Sequence, residues 1–228
     1  MPLKALIFDV DGTLAETEEA HRAAFNRTFD QWRLGWHWTV DDYRRLLKTT
    51  GGKERMRAYQ STLPDSERRL SDAEIARAHK EKTAIYGEIL ASGQLSLRPG
   101  VADLIEAARA RGLKVAVATT TNTPNVEALT RCCWGKPALK VFDHVAAGDM
   151  VANKKPAPDV FLLALEQLGL PAKSCIAFED SRNGVHSALG ADLRVLVTPS
   201  AYTDRDDFSD ADWVIPTLEK YHLPRELL

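Results

Sequence analysis

The chain has 228 residues, 44% hydrophobic and 27% charged, which is room for one large domain or a core domain carrying a smaller insert. Its 30 Lys and Arg against 32 Asp and Glu leave a formal net charge of -2, giving no electrostatic reason to expect nucleic acid or an anionic membrane as partner. No apolar run approaches the roughly 20 residues of a membrane span, and three cysteines, two adjacent at Cys132 and Cys133, make no disulfide framework.

The first element is an apolar strand, Ala5 to Phe8, that runs straight into Asp9-Val10-Asp11-Gly12. A carboxylate at the end of a buried strand costs several kcal/mol to desolvate unless it is paired or bound to a metal. Residues 16–96 then lack convincing strands and carry helical spacing over Glu18 to Phe29, Val40 to Leu47 and Asp72 to Leu90. Trp32, Trp36 and Trp38 fit the small core of such a helical insert better than stacking on a ligand. Leu97-Arg98-Pro99-Gly100 is the turn that returns the chain.

Beyond it the rhythm is strand and helix in alternation. Val101 to Ala110 is a helix, apolar at 101, 104, 105 and 108, stopped by Gly112. Strands are predicted at Leu113 to Ala118, Val141 to Ala147, Ser174 to Phe178 and Leu193 to Val197, with a short edge at Asp212 to Ile215. Helices follow from Pro158-Asp159 to Leu168 and from Ser181 to Leu189. This alternation predicts an α/β fold, a parallel sheet with helices on both faces, with core residues 1–15 and 97–228 and a helical domain over 16–96.

In open parallel sheets, ligands lie beyond the carboxyl ends of the strands. Those ends carry Asp9 and Asp11; Thr119, Thr120, Thr121 and Asn122; Gly148-Asp149 followed by Lys154 and Lys155; and Glu179, Asp180 and Ser181. Taken singly, each has a plain structural reading: a turn, a helix cap before Pro124, a solvated loop, a capping signal. Together, at four successive strand ends, they supply hard oxygen ligands for Mg²⁺ and hydroxyls plus a lysine for a phosphate. A carboxylate beside that phosphate can attack it.

Asp9-Val10-Asp11-Gly12-Thr13-Leu14, Thr119, Lys155-Pro156 and Glu179-Asp180-Ser181 resemble the four motifs of the haloacid dehalogenase superfamily of aspartyl phosphatases and phosphomutases. The position of the helical insert resembles the beta-phosphoglucomutase-like subfamily, with a Rossmann-like core and an α-helical cap. LAETEEAHRAAFN, LLKTTGGKERM, VAVATTTNTPNVEAL and AAGDMVANKKPAPDVF look most like CbbY-type sugar-bisphosphate phosphatases, which act on xylulose 1,5-bisphosphate, a Rubisco inhibitor, beside the Calvin cycle. The resemblance implies Asp9 as nucleophile and Mg²⁺ ligand, and Asp11 as general acid and base whose backbone carbonyl also reaches the metal. It implies Asp180 as the third protein ligand to the metal, Glu179 as either a ligand through water or a residue behind the ligands, and Thr119, the Thr120 backbone and Lys155 as holders of the phosphoryl group. A mutase with the same two aspartates stays open.

Within the cap, Thr50, Gly51, Gly52, Lys53 and Arg55 read as a loop followed by cations, suited to a second, non-reacting phosphate. His79, Lys80 and Lys82 add positive charge on the third predicted helix. Glu16 and His21 follow the first hinge, and Thr121, Asn122 and Asn125 lie at the mouth, all placed to meet sugar hydroxyls. With a strand close to the N-terminus, the expectation is a cytoplasmic enzyme in a reducing compartment, with nothing demanding more than a monomer.

Overall fold

A computed structural model describes residues 2–64, 66–67, 69–93 and 95–227. Among them, six strands form one parallel sheet: β1 (Ala5–Phe8), β2 (Lys114–Ala118), β3 (His144–Ala146), β4 (Cys175–Glu179), β5 (Arg194–Val197) and β6 (Trp213–Val214), in the order β3-β2-β1-β4-β5-β6. β1 is central and every residue of it is buried, because both faces of the sheet are covered. Its alternate side chains feed two cores. Leu6 and Phe8 join α5 (Val101–Ala110) and α6 (Thr123–Trp134), while Ala5 and Ile7 join α8 (Asp159–Leu168) and α9 (Arg182–Gly190). Register places Phe8 beside both Val117 and Phe178, and the two phenyl rings stack at 4.4 Å. Cys132 and Cys133 pack against the first core, which gives both thiols a plain structural place.

Between β1 and α5 run four helices: α1 (Glu18–Gln31), α2 (Val40–Leu46), α3 (Gly52–Ser61) and α4 (Asp72–Ala91). Capping boxes start α2 (Thr39 with Asp42) and α4 (Ser71 with Glu74). The four helices share a third hydrophobic cluster built on Phe25, Phe29, Trp36, Trp38, Tyr43 and Met56, with Trp32 packed against it. Trp36 and Trp38 are core residues, as expected, and Trp32 is only partly buried beside them. The chain enters and leaves this layer at one place: Ala15 bridges Leu97 in antiparallel fashion, and the Arg98 guanidinium reaches the carbonyls of Gly12, Thr198 and Pro199.

Two expectations are corrected here. The Thr50 to Arg55 stretch is not all loop: Gly51 is an N-cap at φ +96° and α3 begins at Gly52. The strand expected over Val141 to Ala147 keeps only His144–Ala146, because Pro137 opens a short helix, α7 (Ala138–Val141), that takes its first residue. Among the described residues no helix is long and apolar enough to cross a membrane.

Candidate active site

The sheet order reverses between β1 and β4, and that switch point is where side chains beyond the strand ends can converge on one ligand. Asp9 follows β1, Glu179 closes β4, and Asp180 comes next. Ligand atoms of Asp9, Glu179 and Asp180 lie within 4.8 Å of one another, all buried. Lys155 enters from the loop after β3, its Nζ at 2.6 Å from Asp9 Oδ1, 2.5 Å from Glu179 Oε1 and 2.8 Å from the Ala118 carbonyl. Two glycines make this crowding possible. A Cβ on Gly12, which sits at φ +81°, would lie 2.1 Å from Asp180 Oδ2, and one on Gly184 would lie 1.8 Å from Glu179 Oε2.

Three carboxylates face one ammonium, so the buried cluster is two charges short of neutral when all are ionised. The strain shows in their proton affinities. Burial, only partly offset by Lys155, raises Asp9; burial and the charges of Asp9 and Glu179 push Asp180 well up; burial pushes Glu179 up to about 8 against Lys155. Lys155 is itself raised: burial works against its charge, but Asp9 and Glu179 outweigh it. A divalent cation bound by hard oxygens is the group that fits this donor set.

The pH dependence follows. A carboxyl raised in the folded state contributes stability below its unfolded value that is lost as pH climbs through the folded one, so Glu179 loses it between 4.5 and about 8. A cation on the cluster displaces those protons. The gain in melting temperature from a divalent cation over chelator therefore grows as pH rises from 5 to 8. His79 (held at about 3) stays neutral across this range, whereas Lys82 (at about 7) titrates within it with or without the cation. A pH-independent gain would place the cation elsewhere.

Asp11 lines the cleft above Asp9 but takes its partners from the helical layer rather than from the acidic cluster. Its Oδ1 accepts from Thr17 Oγ1 at 2.6 Å and lies 3.0 Å from His21 Nε2, while His21 Nδ1 lies 2.6 Å from Lys82 Nζ. With the ammonium donating to Nδ1, the imidazole presents Nε2–H to Asp11. Burial raises Asp11, but His21, Thr17 and Lys82 outweigh it and hold it at about 2. His21 also stacks on Tyr86 at 4.0 Å. Its ring nitrogens are taken by Asp11 and Lys82 although the residue lines the cleft above Asp9, and Thr17 is a partner that sequence reasoning missed.

A cleft of about 1180 Å³ opens above Asp9, between the sheet edge and the helical layer. The structure brings Thr50, Gly51, Gly52, Lys53, Arg55, His79, Lys82, Thr120, Thr121, Asn122 and Asn125 to its walls. Thr119 sits beneath, buried, its hydroxyl receiving the Thr121 N–H and favouring the ionised form of Asp9. Two residues are not brought in. Lys80 is exposed on α4 and does not line the cleft. Glu16 turns to the hinge, 3.3 Å from Arg98 Nε and from the Ala201 N–H. The helical layer is held down at its edges: Lys154 Nζ donates to Glu54 Oε2 at 3.1 Å, and Asn183 Nδ2 donates to Thr50 Oγ1 at 3.1 Å.

An acidic, lysine-braced centre at the switch point of a parallel sheet, roofed by inserted helices, is the site of a hydrolase built on a Rossmann-like α/β core. Residues 3–192 match the haloacid dehalogenase-like hydrolases, and the chain belongs to that family. Protein CbbY of Rhodobacter capsulatus is 60% identical over 218 residues, covering 96% of this chain and 95% of that protein. The crystal structure of CbbY from Rhodobacter sphaeroides in complex with phosphate is similar at TM-score 0.92 and 48% identity, covering 96% of both chains. A mutant of that protein, solved in complex with xylulose-(1,5)bisphosphate, is similar to the same degree, with TM-score 0.92 and 48% identity over 96% of each chain.

Proposed function

We propose that this chain is a Mg²⁺-dependent phosphatase that removes one phosphate from a pentulose bisphosphate, xylulose 1,5-bisphosphate, through an aspartyl-phosphate on Asp9. The observation that carries the reading is the cleft itself. Its floor is Asp9 with Lys155 and Asp180, and its walls hold Lys48, Lys53, Arg182 and Arg205, whose side chains make no hydrogen bond or ion pair with another described residue. One anionic group fits the floor and a second fits that rim. The complex of the Rhodobacter sphaeroides relative with xylulose-(1,5)bisphosphate supports this substrate.

Asp9 attacks phosphorus and the bond to the sugar oxygen breaks, with Asp11 giving that oxygen its proton. Asp11, now a carboxylate, takes a proton from the water that attacks the aspartyl-phosphate, and inorganic phosphate leaves. A carboxyl held near 2 suits the second half. For the first, the negative charge of the bound phosphate raises its proton affinity. Asp9, Asp180 and the Asp11 carbonyl would hold Mg²⁺, with Glu179 behind them; the ion, when bound, screens the repulsion between carboxylate and phosphate. Lys155 and Thr119 orient Asp9. Asn125 is 5% exposed, donates to Thr121 Oγ1 at 2.8 Å, and keeps Oδ1 without a partner, an acceptor for a sugar hydroxyl. Residues 16–96 act as a lid that excludes water from the reaction.

Phosphate release with Mg²⁺ is measured on xylulose and ribulose 1,5-bisphosphates and on hexose phosphates; no release from any of them overturns the reading, and hexose-phosphate interconversion without release gives a mutase instead. Lys53→Ala raises KM for the bisphosphate about tenfold or more, on the strength of one charge-assisted hydrogen bond, and leaves a monophosphate nearly unchanged. Equal effects on both remove Lys53 from the second phosphate. Arg55 is the weaker contributor, because its guanidinium already serves Tyr43 Oη at 2.9 Å and the Leu46 carbonyl at 3.2 Å.

A further inference from the structure

The loop after β5 touches both halves of the molecule at once. Thr203 Oγ1 donates to the Asp180 carbonyl at 2.6 Å, lies 3.3 Å from Asp180 Oδ2, and receives the Ser200 N–H at 2.9 Å. Ser200 also lies beside the Asp180 carboxylate and favours its ionised form. The next residue back, Tyr202, is 8% exposed and belongs to the aromatic cluster of the helical layer, edge-on to Tyr43 at 5.7 Å, with its hydroxyl on Glu19 of α1. Arg44 of α2 closes over it. Its guanidinium lies 5.5 Å above the Tyr202 ring, donates to the Ala201 carbonyl at 2.9 Å and the Tyr202 carbonyl at 3.2 Å, and pairs with Asp204 at 2.5 Å. Thr203 N–H to Ser200 carbonyl, 3.1 Å, and Asp206 N–H to Thr203 carbonyl, 2.9 Å, make the segment a tight turn with little freedom to bend between these contacts.

We propose that the Ser200–Asp204 turn is a closure sensor: the docking of α1 and α2 on Tyr202 sets the position of Thr203 and Ser200, and through them the orientation of Asp180. Ser200 and Thr203 are positioning residues. A helical layer that lifts away takes Tyr202 with it and loosens Asp180, so the metal site is fully formed only under a closed roof. The other edge contacts, Lys154 with Glu54 and Asn183 with Thr50, place no side-chain hydrogen bond on Asp180.

The inference rests on the metal reading above, and its test uses no turnover. Mg²⁺ affinity is measured by calorimetry on the full chain, and exposure of α2 and α3 by hydrogen exchange. Thr203→Val weakens Mg²⁺ about tenfold, the lower end of what outer partners of metal ligands contribute. Tyr202→Ala and Arg44→Ala, neither of which bonds Asp9, Glu179 or Asp180, also weaken it about fivefold or more and raise exchange in α2; Arg44→Ala, at a partly exposed side chain, keeps the test valid if Tyr202→Ala fails to fold. Glu54→Gln raises exchange in α3 with Mg²⁺ affinity within twofold of wild type. If Mg²⁺ binds wild type and Arg44→Ala equally, the coupling is overturned and the metal reading stands; if wild type binds none, the metal reading falls and the coupling with it.

Discussion

Asp9→Asn lowers kcat by at least about 10⁴-fold and leaves the fold standing. An amide is neither a nucleophile nor a charge, and losses of this order follow removal of an attacking group. The fold survives because Asn keeps the oxygen that receives Lys155 Nζ at 2.6 Å, and because Lys155 retains Glu179 at 2.5 Å. Stability in chelator even holds or rises, since one of three mutually repelling buried carboxylates is gone. Single-turnover kinetics beside a melting curve in chelator check both halves. Residual activity above about 1% of wild type would assign the attack to another group.

Lys155→Met has the opposite balance: it lowers activity and also destabilises the protein. Methionine fills much of the same space beside Phe161, over which Nζ now sits at 4.9 Å. What disappears is the counter-charge of Asp9 and Glu179, and breaking a buried pair by removing one partner costs about 3–5 kcal/mol. For a chain of this size that lowers the melting temperature by roughly 6–20 °C in chelator at pH 8. Mg²⁺ recovers part of the loss by supplying positive charge to the same carboxylates. An unchanged melting temperature in chelator would mean that the cluster holds its own protons and does not depend on the lysine.

The parallel strands were legible because burial on both faces writes them as unbroken apolar runs, and their ends carried Asp9, Thr119, Lys155, Glu179 and Asp180 in order. The same rule applied to the end of β5 would have found Ser200; the strand runs into Thr198-Pro199-Ser200, but only four strand ends drew attention. Helix α3 left no periodic mark, as Met56 is its single buried residue and Gly51-Gly52 read as loop. Lys80 and Lys82 show why composition alone misplaces a cation: two residues apart on a helix is about 200° of rotation, so one enters the cleft and the other meets solvent. Glu16 lies outside the cleft because Arg98 captures it; chain position past a hinge does not say which way a side chain turns.

The bridge between Ala15 and Leu97 has a consequence for how the chain reaches this structure. β1 must find β2 more than a hundred residues away, a pairing whose ends would otherwise meet slowly. Once the helices between them pack on Phe25, Phe29 and Trp38, their two ends stand side by side, and the long excursion becomes a short tether. Assembly of the helical layer first would then hasten the closing of the sheet, so that the layer we propose as the lid is also the part that organises folding.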